Sequence, residues 1–185
     1  MAGEWGPLAG LIGDWESDQG GLDAAFSHSK GEVLQTPYLE RVSFKPFGPV
    51  VNGRESLYGL DYKTAMWRGS EENPFHTEVG YWLWDADTHE VVRAFVVPRG
   101  ITVLAGGTAG PDDRSFTLTA EPGVRNYTIG ENKYLTENAS TLSYSVTITI
   151  DDDSWTYDET TMLKMSEMDE PFAHTDRNTL RRKVD

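Results

Sequence analysis

The 185 residues carry 30 acidic against 16 basic side chains, a formal net charge of −14 that repels nucleic-acid phosphates and anionic membranes alike. Cysteine is absent, which removes disulfides, thiolate catalysis and Cys-based zinc sites and fits a reducing compartment. With 38% hydrophobic and 25% charged residues, the composition is that of one globular domain over 1–185.

The stretch Met1 to Trp5 has neither the basic n-region nor the apolar h-region of a secretion signal, so a cytoplasmic location is expected. Trp5 to Leu11 predicts a short N-terminal helix, Gly13 to Asp18 a strand, and the small, polar Gly20 to Lys30 a loop. Glu32 to Phe47 and Ser56 to Trp67 read as long strands parted by Pro49, Asn52 and Gly53. Phe75 to Trp84 and Val91 to Val97 flank a turn from Asp85 to His89. Ile101 to Ala105 follows the break Pro98-Arg99-Gly100, and Gly106 to Gly110 reads as a hairpin loop. Ser115 to Ala120 and Arg125 to Ile129 are further strands, and Asn132 to Asn138 is a turn of helix or a long loop.

The clearest alternation runs from Thr141 to Ile150. Leu142, Tyr144, Val146, Ile148 and Ile150 take one face, and Thr141, Ser143, Ser145, Thr147 and Thr149 the other. Ser154 to Met165 repeats it after the turn Asp151-Asp152-Asp153, and Thr175 to Arg182 closes the sheet. About ten antiparallel strands at hairpin spacing predict an all-β sandwich or barrel. Strand length and weakly charged hydroxyl faces favour an up-and-down barrel with room for one small ligand. The Ser/Thr faces are then either a semi-polar inner wall or the solvent face. No apolar run is long enough to cross a bilayer as a helix.

No nucleophile elbow, phosphate loop or dinucleotide fingerprint occurs. Of the 4 histidines, His28 falls in the polar loop and His89 in a turn; His76 opens a strand and His174 precedes the last one. None has a partner at metal-ligand spacing, which argues against a His₂ or His₃ centre. Haem is the case that needs only one protein ligand to iron. The acidic runs Asp151 to Asp153 and Glu167 to Glu170 read as solvated turns.

Several segments, taken in order, resemble the nitrobindin family of haem-binding β-barrels, whose fold is similar to that of lipocalins and fatty-acid-binding proteins. They are Leu8 to Trp15, Tyr38 to Phe44, Leu60 to Trp67, the His-x-Glu-x-Gly-Tyr segment His76 to Tyr81, Val91 to Gly107, and His174 before the closing strand. The resemblance implies a closed barrel holding haem b, with His174 as the ligand to iron and His76 near the pocket. It places Asp14, where many members carry Thr, and Trp15 at the haem edge. Ser17 and Gln19 replace two glycines of the family's first motif, and Arg99 replaces a small hydroxyl residue in a turn, where its cation offsets Asp14. It further implies nitric oxide binding by ferrous haem or isomerisation of peroxynitrite by ferric haem, an activity resting on family likeness alone. The alternative is a carrier or sensor of a fatty acid or other small apolar ligand without iron chemistry. Its head group would meet Arg99, Arg41 or His174. A third reading has the interior filled by side chains. A homodimer is left open.

Overall fold

The computed structural model describes residues 3–183. After a 3₁₀ turn at Gly6–Leu11 come β1 (Gly13–Ser17), β2 (Gly21–Ser27), β3 (Glu32–Asn52), β4 (Glu55–Trp67), β5 (His76–Asp85) and β6 (Glu90–Val97). They are followed by β7 (Ile101–Thr108), β8 (Ser115–Pro122), β9 (Thr128–Glu131), α1 (Lys133–Asn138), β10 (Ala139–Ile150), β11 (Ser154–Met165) and β12 (Phe172–Arg182).

All twelve strands form one sheet that closes into a ring. β1 and β2 share a single stave, since each bridges β12 to β3 at a different height. β8 and β9 share another: β9 pairs with the start of β7 at Ile101↔Glu131, and β8 with its end at Gly106↔Thr119. The twelve segments therefore make ten staves, antiparallel except where β8 meets β9. The short helix expected at the start is the 3₁₀ turn, and the helical turn expected near Asn132 is α1, capped by the Asn132 side chain accepting from the Leu135 amide.

Period-2 alternation puts Phe44, Tyr62, Trp82, Leu118, Val146 and Leu180 inside the ring. Leu8 and Leu11 of the 3₁₀ turn are fully buried and plug one end, where the Trp15 indole N–H donates to the Leu11 carbonyl at 2.7 Å. The hydroxyl faces point to solvent, with Thr117 against Thr147 at 2.9 Å and Ser115 against Thr149 at 3.2 Å.

Three expectations change. Gly20 to Lys30 is not a loop, because Gly21–Ser27 is β2. Its inner phase is Gly21, Asp23 and Ala25, which erases the apolar alternation, and pairing to β3 and β12 decides instead. Gly21 is required there: a Cβ would stand 2.1 Å from Cζ of Tyr38. Gly106 to Thr108 is strand, since β7 pairs with β6 as far as Thr108↔Glu90. Leu142 faces outward and Thr141 inward, because a bulge between Thr141 and Ser143 inserts one residue into β10 and inverts the phase before it.

Candidate functional site

The ring's far end opens onto two adjoining cavities. An inner chamber of about 280 Å³ is walled by Glu40, Tyr62, Trp82, Arg93, Trp155 and Tyr157, among others. An outer lobe of about 230 Å³ is walled by Phe95, Val97, Ile101, Val103, Leu163 and Phe172, among others. Ala25, His76, Glu78, Arg99, Glu159 and His174 border both.

Charges on the inner phase of three strands build the junction. Arg93 on β6 donates from Nη2 to Glu78 Oε2 on β5 at 2.6 Å, and from Nη1 to Glu159 Oε2 on β11 at 3.0 Å. Tyr62 donates to Glu78 at 2.7 Å and Tyr144 to Glu159 at 2.6 Å. His76 Nε2 donates to the other Glu78 oxygen at 3.0 Å. Burial pushes the Glu78 carboxyl up, but Arg93, His76 and Tyr62 outweigh it and hold it down at about 2. Burial works against a charged His76, yet its bond to Glu78 and the charges of Glu78, Glu159 and Asp176 raise it. Gly80, two residues beyond Glu78, lets β5 approach β6: a Cβ there would stand 1.9 Å from the Ala94 carbonyl oxygen.

A second chain of groups runs along the opposite wall. Tyr38 contacts Asp176 closely, meets Tyr157 Oη at 2.6 Å, and Tyr157 meets Glu40 Oε2 at 2.8 Å. Three contacts need three protons and the phenols supply two, so one carboxyl carries the third. Burial raises the Glu40 carboxyl, and burial with the charges of Glu159, Glu40 and Asp23 pushes Asp176 up to about 8. Thr64 and Asn178 also donate to Glu40, at 2.6 and 2.9 Å.

His174 on β12 donates from Nε2 to Asp23 Oδ1 on β2 at 2.6 Å. Asp23 is buried, and Arg68 lies 3.7 Å from its other oxygen. The structure thus brings His76, His174 and Arg99 to one junction, Arg99 from an exposed turn. It places Asp14 on the outer surface and Trp15 at the plugged end, about 25 Å along β12 from His174, so neither lines the inner chamber or the outer lobe. Arg41 is also outside, over the Trp67 ring. His28 is exposed in the turn after β2, as expected, and its Nδ1 contacts Glu167 at 2.6 Å. Sequence reasoning missed Glu40, Glu78, Arg93, Glu159 and Asp176. The signal was present, since Glu40 falls in phase with Tyr38, Val42 and Phe44, and Arg93 with Val91 and Phe95.

Residues 4–182 match the model of the THAP4-like, heme-binding beta-barrel domain. The chain belongs to this family. It is the nitrobindin-like family to which the ordered segments pointed, and membership supports a haem-binding role for the THAP4-like barrel. The crystal structure of Rv2717c from M. tuberculosis resembles it with a TM-score of 0.63 and 19% identity, covering 96% of this chain and 95% of that one. At that identity the likeness carries the fold. No curated protein matches the THAP4-like barrel in sequence.

Proposed function

We propose that this barrel holds haem b in its outer lobe, with His174 as the protein ligand to iron and a small diatomic such as nitric oxide, or peroxynitrite, as the reacting partner. The observation that supports it most is the His174–Asp23 pair at 2.6 Å on the rim of an apolar lobe. A metal-ligating imidazole commonly gives its other ring N–H to a carboxylate, which fixes the ring and raises its basicity. Asp23 does this from a buried position, leaving the second ring nitrogen for iron. Phe95, Val97, Ile101, Val103, Leu163 and Phe172 suit the apolar face of a macrocycle and exclude water from it. The Arg99 cation at the exposed rim suits its anionic propionate edge. Haem bound there supplies an iron coordination position for small nitrogen oxides.

Reconstitution with haemin is the test. A sharp Soret band is expected for the native chain, lost in His174→Ala and broadened or shifted in Asp23→Asn. A His174→Ala protein with an unchanged spectrum overturns the assignment of the ligand. The carrier reading is separated by native mass spectrometry of protein from its own host, which shows haem in one case and a lipid in the other.

A further inference from the structure

His174 has a carboxylate partner, and that carboxylate has a cation of its own. Asp23 gives its two oxygens to different groups. Oδ1 accepts from His174 Nε2 at 2.6 Å, and Oδ2 lies 3.7 Å from Arg68 Nη2. The three side chains come from β12, from β2 and from the residue just past β4.

Local structure holds Arg68 in place. The chain turns directly after it, where the Glu71 amide donates to the Arg68 carbonyl at 3.1 Å. The turn returns Phe75 to the end of β4, its amide donating to the Met66 carbonyl at 2.9 Å. The Arg68 guanidinium carbon then stands 3.9 Å from the centre of the Phe75 ring, and Tyr38 braces that ring edge-on at 6.0 Å.

The charges around Asp23 give this cation its weight. Asp23 faces Asp176 in register across β2 and β12, and Glu40 and Glu159 stand in the same cavity lining. Arg93 is committed to Glu78 and Glu159. Among the described residues, Arg68 is the one Arg or Lys paired with Asp23, and Asp176 has no such partner. The Asp23 side chain is 7% exposed and that of Arg68 43%, so water screens part of the cation and little of the carboxylate.

A carboxylate that accepts an imidazole N–H pulls on its proton and makes the ring a stronger donor to a metal at the other nitrogen. A cation on the second oxygen draws carboxylate charge away and weakens that pull. Stronger donation favours ferric iron, and weaker donation favours ferrous iron. We propose, on the footing of the haem reading above, that Arg68 is a positioning residue for the iron centre, acting through Asp23 on His174 to shift bound iron toward the ferrous state.

The test is spectroelectrochemistry of the haemin-reconstituted chain. Arg68→Met keeps an apolar stem against Phe75 and removes the charge at an exposed strand end, and its Soret band reports that haem is seated. The ferric form is expected to gain about threefold over the native chain, a fall in midpoint potential of ~28 mV for one electron. Asp23→Asn is expected to raise the potential, and adding Arg68→Met to it to change nothing further, because the link is already cut. Arg68→Lys is expected to restore most of the native potential. Resonance Raman of the ferrous protein gives a second readout: the iron–His174 stretch rises in Arg68→Met and falls in Asp23→Asn. A native potential and stretch in Arg68→Met, as a merely structural role would give, overturn the proposal. So does a shift that persists in full on the Asp23→Asn background, which would mean a field effect that bypasses Asp23. An unchanged Soret band in His174→Ala overturns the haem reading and this proposal together, whereas a native potential in Arg68→Met beside an intact Soret band overturns this proposal alone.

Discussion

Arg93 sits between two carboxylates and over the rings of Tyr62, Trp82 and Phe95, at 5.4, 5.2 and 4.4 Å. Arg93→Met leaves Glu78 and Glu159 as uncompensated buried charge, and a loss of about 3–5 kcal/mol is expected by urea unfolding. Arg93→Lys is expected to recover only part, since an ammonium cannot span both carboxylates as the guanidinium fork does. A loss below about 1 kcal/mol in the Met variant would show that the two carboxylates are solvated instead. The same cluster sets a pH profile. Glu78 has a folded value near 2 against an ordinary 4.5, so its contribution is complete above 4.5 and fades as pH falls toward 2. His76 is raised from 6.5, so its contribution is complete below 6.5 and fades as pH rises through the raised value. Urea midpoints from pH 3 to 8 are expected to peak on the acidic side of neutrality, and Glu78→Gln to flatten the acid limb. The two histidines were legible through likeness to a family. The carboxylates and Arg93 were hidden because a strand pattern reports which phase is inside, and a charge on that phase looks like noise until its partners arrive from other strands.

At the level of the strand, β10 separates what alternation can show from what it cannot. Leu142 is apolar and in step with Tyr144 and Val146, yet it is 39% exposed because of the bulge. Leu142→Thr is therefore expected to change stability by less than about 0.5 kcal/mol, as an exposed substitution does. Ile148→Ala on the same strand is expected to lose about 2–5 kcal/mol. Thermal or urea unfolding of the pair checks this, and a large loss at Leu142 would mean that the bulge is absent. A bulge leaves no mark on period-2 counting beyond one misplaced residue. β2 was missed for a related reason: a strand whose inner phase is Gly, Asp and Ala lacks the contrast that alternation needs, and only its two neighbours define it. The ten-stave count was readable because long strands and short turns survive such local irregularities.

At the scale of the molecule, the net charge of −14 surrounds a mouth that carries Arg99, while Arg68 is matched by Asp23 at 3.7 Å. The global field repels an anionic ligand while the mouth attracts it, and the two effects differ in range. Added salt screens the longer-ranged repulsion first, so haemin association is expected to speed up severalfold between about 0.02 and 0.2 M salt. Stopped-flow absorbance measures this; a slowing would show that Arg99 governs capture.

The seam of the ring carries a last consequence. β1 and β2 meet β12, so the first strands made are closed by the last one. While the chain is being synthesised, every intermediate bears two open sheet edges, one on β1 and β2 and one on whichever strand has just emerged. Such edges recruit other chains until they are covered. A chain cut before Phe172–Arg182 is therefore expected to leave the edges of β11 and of β1 and β2 unsealed.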